Sequence, residues 1–290
     1  MLARMLRSWA VSLLTVGALA SGAGATPPLW TEDPLPLPEG QAAVRLGGDF
    51  ALVSSGENRF RLPSLYWETG LGGLADGIVL FNLGEVTEDG KAKGYDVEKL
   101  VLAGKILLHR RHDGWPQAAV GFGVKIPSED TTKGLGSDTT DFYGRLLLGE
   151  NIGRARVLVN LGLGLLEKTS ELHGQDDVLE YGIALEEPVS ERTALLLEWN
   201  GHTYSTRQPA QSFALVGIRL MNGHGCGWDL AGIWGLRPDA EHFRITLGYT
   251  FTAELFRETT PSAPQENHAA VTEHTESDHP LAGAAEGAGE

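Results

Sequence analysis

From Phe243 to Thr252 the chain alternates without a break: Phe243, Ile245, Leu247, Tyr249 and Phe251 take the odd positions, and Arg244, Thr246, Gly248, Thr250 and Thr252 the even ones. Side chains two apart share a face where the backbone is extended, so this stretch predicts a strand with one apolar face and one small or polar face. The same period recurs upstream. Ala118, Val120, Phe122, Val124 and Ile126 oppose Ala119, Gly121, Gly123 and Lys125. Ala155, Val157, Val159, Leu161, Leu163 and Leu165 oppose Arg156, Leu158, Asn160, Gly162, Gly164 and Leu166, and Leu179, Tyr181, Ile183 and Leu185 oppose Val178, Glu180, Gly182, Ala184 and Glu186.

Segments of strand length fall at residues 42–53, 60–70, 77–85, 97–109, 116–126, 140–149, 154–166, 177–187, 192–200, 211–220, 227–236 and 242–252. They predict an all-β chain of twelve strands. After the first 25 residues no segment holds the roughly 18 consecutive apolar residues of a spanning helix, so any membrane residence must use strands. Cys226 is the single cysteine, so no intrachain disulfide is available and stability must come from a large sheet or from the membrane.

The connections alternate too. Those after odd-numbered strands are mostly long and polar, as in "EVTEDGKAKGYD" from Glu85, "PSEDTTKGLGSDT" from Pro127, "EKTSELHGQD" from Glu167 and "GHTYSTRQPA" from Gly201. Those after even-numbered strands are short, as in "GGLAD" from Gly72 and "ENIG" from Glu150. A twelve-stranded antiparallel up-and-down transmembrane β-barrel has this asymmetry, with tight turns at one rim and freer loops at the other. Strands of about 10 residues, rising about 3.3 Å each and tilted by about 40°, cover an apolar band about 25 Å tall.

The less apolar face decides what each side meets. A soluble barrel would show water a face rich in Lys, Glu, Ser and Thr and poor in strand-weakening glycine. Here that face carries Gly121, Gly123, Gly162, Gly164, Gly182 and Gly248 among Lys105, Arg145, Asn160, Glu180, Glu198, Arg219, Asp229 and Arg244. Small residues beside charges of both signs fit a crowded wet lumen, which leaves the apolar face to lipid. Lys105, Arg145, Glu180, Glu198, Arg219, Asp229 and Arg244 are therefore the expected lumen-lining residues that set size and charge preference. Trp115, Phe142, Trp199, Trp228, Phe243 and Phe251, near strand ends, are candidates for interfacial girdles.

Flanking segments complete the organisation. Residues 1–25 have Arg4 and Arg7, an apolar stretch from Trp9 to Ala20 and small residues at Ala23-Gly24-Ala25, the pattern of a secretory signal peptide. Residues 26–40, "TPPLWTEDPLPLPEG", hold too much proline for regular structure and are expected as an extended lead-in to a barrel at 41–256. Residues 257–290 carry Arg257 as their only Lys or Arg against Glu258, Glu266, Glu273, Glu276, Asp278, Glu286 and Glu290, and are expected as an acidic disordered periplasmic tail. The formal charge of −15 argues against nucleic acid as a partner.

Three constellations could carry chemistry. His202 and Ser205 provide a base and a hydroxyl close in sequence, as a phospholipase-like nucleophile needs, but in an expected loop. His173, Asp176 and Asp177 with Asp138 and Asp141 supply the residue types of an omptin-like protease at the outer rim. His268, His274 and His279 in the tail, and His224 beside Cys226, are sparse metal-ligand sets whose spacing suits no preorganised site. Solvated loop charge is the simpler account of each, so no catalytic residue, metal or cofactor is assigned.

Several short motifs resemble the outer-membrane β-barrel family associated with the meta-pathway of phenol degradation, whose members are grouped as transporters of hydrophobic or aromatic compounds. These are Val124-Lys125-Ile126-Pro127, the loop Gly134-Leu135-Gly136-Ser137-Asp138 before Asp141-Phe142, Val216-Gly217-Ile218-Arg219, Trp228-Asp229-Leu230 and Leu247-Gly248-Tyr249-Thr250-Phe251. The likeness spans about residues 41–252. It implies the cell outer membrane as location and passive passage of a small-molecule solute, and it carries over no catalytic residue. Thr246 to Phe251 also resembles the terminal-strand signal read by the barrel-assembly machinery, with outer-membrane lipid as the surrounding partner. The alternative class is a non-transport barrel, either a rim-located hydrolase or a structural or binding barrel.

Overall fold

A computed structural model describes residues 27–54, 56–110, 114–128, 131–135, 137–167, 174–206, 208–222 and 225–255. Twelve strands run β1 Gln41–Ser54, β2 Glu57–Leu71, β3 Ala75–Glu88, β4 Lys91–His109, β5 Gln117–Lys125, β6 Asp141–Ile152, β7 Ala155–Glu167, β8 Gln175–Pro188, β9 Thr193–Tyr204, β10 Gln211–Met221, β11 Gly227–Gly235 and β12 Phe243–Glu254. Each pairs antiparallel with its sequence neighbours, and β1 pairs with β12 from Gln41↔Glu254 to Leu52↔Phe243, which closes the barrel. Closure removes the open edges that twelve strands would otherwise present. The predicted strand count and connectivity are those observed.

One loop is corrected. The long connection expected from Glu85 is absent, because β3 and β4 continue past the apolar band and meet at Asp89-Gly90. Both turn residues have positive φ, 50° and 74°, which is the geometry of a two-residue hairpin turn and the reason glycine follows aspartate there. The sequence hid this extension because "TEDGKAKGY" is polar on both faces and so carries no period.

Alternation places the faces as expected. Leu163, Leu161, Phe122, Ile183, Trp199, Ile218, Leu230 and Leu247 are among the large apolar side chains left exposed, and all point outward. A soluble protein seldom leaves so continuous an apolar surface bare, whereas lipid covers it at no cost. Rings gather toward both rims of this belt. Trp228, Tyr249 and Phe251 stack edge-on at 4.8 and 4.6 Å at the rim where β1 begins, and Trp234 meets Phe243 at 5.4 Å near the other.

The interior contains more apolar surface than alternation of glycine with charge suggested. Leu158, Ala184, Leu196, Phe213, Leu215, Ala231 and Ile233 form a buried patch on the inner wall from β7 to β11. Leu29 packs on it, and Trp30 meets Phe213 edge-on at 5.3 Å. Residues 27–40 have no helix or strand, and they lie inside the barrel.

Candidate functional site

The lumen divides by height. In the half nearer the rim where β1 begins, residues 27–40 fill the space, and the wall is built to receive them. Glu198, midway along β9, accepts from the Trp30 amide at 3.0 Å, the Thr31 amide at 2.7 Å and the Thr31 hydroxyl at 2.6 Å. A carboxylate withdrawn from water needs such donors, and here they come from the inserted segment. Arg156 grips Asp33 through two bonds of 2.7 and 2.8 Å, the Leu37 amide donates to Asp76 at 3.0 Å, and Arg145 reaches Glu32 at 2.8 Å.

Glycine makes room where the segment passes. A Cβ on Gly182 would collide with the Thr31 hydroxyl, and one on Gly149 would sit 2.9 Å from the Pro34 ring. These two inward glycines are spaces for the segment rather than pieces of an open pore.

Charged residues in this half are neutralised in place. Arg45 binds Asp229 through Nε at 2.9 Å and a second nitrogen at 2.5 Å, with side chains only 4% and 1% exposed. Gly248 of β12 lies where the Arg45 guanidinium passes, so any side chain there would displace it. Lys105 donates to Glu68 at 2.8 Å and to the Asp33 carbonyl at 3.0 Å, and lies 3.2 Å from Asp76. Arg219 meets Glu186 at 2.9 Å.

Toward the opposite rim the barrel holds a cavity of about 590 Å³. Its wall includes Arg45, Asp49, Arg59, Arg61, Glu98, Lys99, Lys125, Asp141, Arg145, Glu180 and Arg244, together with Tyr66, Leu80, Tyr143 and Tyr181. Trp30 and Glu32 of the inserted segment form part of its floor. Arg145 binds Glu180 at 2.8 Å, Arg244 binds Glu241 at 2.6 Å and stands over the Trp30 ring at 5.6 Å, and Arg61 joins Asp49 to Glu98.

Lys105, Arg145, Glu180, Glu198, Arg219, Asp229 and Arg244 thus all lie on inward rows, but in different settings. Arg145, Glu180 and Arg244 line the cavity, while Glu198 and Lys105 hold the inserted segment. Asp229 and Arg219 are tied in buried pairs.

Sequence reasoning missed Lys99, because a bulge leaves Glu98 unpaired between Val97 and Lys99 and turns two consecutive charged residues inward. A strict two-residue period cannot register that. It also missed Asp33, Glu68 and Asp76, which matter only through contacts with residues far away in sequence.

The His202 and Ser205 side chains are engaged by different neighbours. His202 Nε2 is 3.1 Å from the Tyr204 hydroxyl, while Ser205 Oγ donates to Asp176 at 3.1 Å, so base and hydroxyl have separate partners. Asp176 also accepts from Thr206 and Gln208 and organises the β9–β10 connection. Asp141 lies 3.1 Å from Lys125. His173, His224 and the tail histidines lie outside the described residues; among the described residues no three His, Cys, Asp or Glu side chains are grouped as metal ligands.

No family model and no curated protein matches the chain. Among solved structures, an outer-membrane channel from Pseudomonas putida F1 superposes with a TM-score of 0.57 at 12% identity, over 76% of this chain and 98% of that one. The porin NanC superposes with a TM-score of 0.51 at 8% identity, over 72% of this chain and 98% of that one. At these identities the likeness is one of fold. With the lipid-facing belt, it places the barrel in the cell outer membrane.

Proposed function

We propose that the chain is an outer-membrane channel for passive passage of small solutes, with both chain ends in the periplasm and the connections after odd-numbered strands outside. The observation that carries this reading is the charged space of about 590 Å³ inside a closed barrel whose outer face is apolar. Residues 1–25 act as the export signal, the closing strand from Thr246 to Phe251 engages the assembly machinery, and residues 257–290 remain as a periplasmic tail. Arg145, Glu180 and Arg244 act on solutes directly, while Lys105, Glu198, Arg219 and Asp229 set the bore by holding the inserted segment and the wall.

The two structural likenesses, to a channel and to a porin, support the transport class. The resemblance to the phenol-pathway barrels favours cargo with an apolar or aromatic part, and Trp30, Tyr66 and Tyr143 around the cavity supply matching surface. Passage past residues 27–40 requires that segment to shift, since its bonds span the inner half of the lumen. Liposome swelling tests the proposal: vesicles containing the folded full-length barrel swell in small-solute gradients, and vesicles tight to every small solute count against it.

The bonds to the inserted segment favour a second reading, a barrel permanently filled as a structural or binding element. Removal of residues 27–39 separates the two. A channel gains permeability; a filled barrel with no transport role loses stability and gains no selective passage.

A further inference from the structure

The cavity's charge inventory isolates Lys99. Arg45, Arg59, Arg61, Lys125, Arg145 and Arg244 each lie within ion-pair distance of a carboxylate. Lys99 lines the same cavity and is exposed to its interior, yet makes no ion pair or hydrogen bond among the described residues. Register explains why. The bulge commits Glu98 to Arg61 and Arg59 and leaves Lys99 directly opposite Asn82 of β3, which stands opposite Ser64 of β2.

Ser64 completes the arrangement by donating its hydroxyl hydrogen to Asn82 Oδ1 at 2.8 Å. That bond occupies the amide oxygen and leaves the amide NH2 as a donor beside the ammonium group of Lys99. Two donors, one of them charged, face a cavity whose other cations are satisfied, and charge-assisted bonds to an anion are the strong ones in such a setting. The next inward row, two residues along each strand, is Tyr66, Leu80 and Val101, so an apolar surface adjoins the donors.

We propose that Lys99 and Asn82 bind the carboxylate of a small organic acid whose short apolar body lies against Tyr66 and Leu80. The site deepens the channel reading by naming a solute class, and depends on it only for how the acid arrives. Selection is then for one negative charge carried on an apolar stem, in a protein whose net charge is strongly negative.

Equilibrium binding keeps the site separate from transport. Butyrate, and its neutral counterpart butyramide, are titrated against the folded full-length barrel in detergent, followed by saturation-transfer NMR. Butyrate binds, butyramide binds at least about tenfold more weakly, and Lys99→Gln weakens butyrate by about tenfold or more, as expected for a lost charge-assisted bond. Lys99→Arg restores most of the affinity. Heat-modifiable migration on gels checks that each variant is folded, and Lys99→Met serves if Lys99→Gln is not. Equal affinity for the acid and the amide, unchanged butyrate affinity in Lys99→Gln, or no butyrate binding by the folded barrel overturns the proposal. Butyrate binding with the predicted Lys99 dependence in a barrel that passes no solute leaves the site standing and removes the channel reading.

Discussion

The two halves of the lumen use the same residue types to opposite ends. Near the rim where β1 begins, arginine, lysine and carboxylates are sealed against one another and against residues 27–40, as in Arg45–Asp229, Lys105–Glu68 and Glu198 with Thr31. Toward the other rim Arg145 and Arg244 keep pairs of 2.8 and 2.6 Å, but Arg59 reaches Glu98 only at 3.4 Å and Glu57 at 3.7 Å, and Lys99 has no carboxylate within ion-pair distance among the described residues. A charge in a β-barrel interior is therefore a fastener in one place and a contact for solute in another. The difference lies in what fills the space in front of it.

The largest expected break in this contrast is Arg45→Ala, which strands the buried Asp229 carboxylate. Denaturant titration of the barrel in lipid vesicles should show a loss of about 3–5 kcal/mol. Replacing both partners, Arg45→Leu with Asp229→Leu, should recover much of it, since no unpaired charge then remains. Arg59→Ala, the same deletion in the open half, should cost at most about 1 kcal/mol in that assay, because its side chain is 25% exposed and its pairs are long.

Gly182→Val tests whether the packed half depends on the inserted segment. The added methyls need the space taken by the Thr31 hydroxyl, so the segment should be pushed off Glu198 and single-channel conductance should rise several-fold. Unchanged conductance in a folded Gly182→Val barrel would mean that the segment does not limit the pore. At the smallest end, deleting residues 257–290 should leave heat-modifiable folding and denaturant stability unchanged, with failure to insert showing that the tail helps build the barrel.

Much of this contrast was hidden from the sequence, and the reasons differ by residue. The outward face was legible because lipid imposes one rule on every strand, and Leu161, Leu163, Ile183 and Leu247 obey it at every second position. The lumen imposes no such rule. Leu158 and Leu196 point inward beside Asn160 and Glu198 because part of that wall packs against Leu29.

Proline marked residues 26–40 as irregular but said nothing of where they go. Partners such as Asp76 and Glu198 lie 39 and 168 positions away. Lys99 was obscured by a single extra residue in β4, which breaks the period at the point where it leaves a charge uncommitted.

Planar-bilayer recording of the full-length barrel beside a form lacking residues 27–39 shows whether the inserted segment controls passage through the lumen. The full-length protein should show small, infrequent openings and the shortened one a larger, persistent conductance, both from folded barrels. Two folded proteins that are equally silent, or that conduct identically, would contradict that expectation.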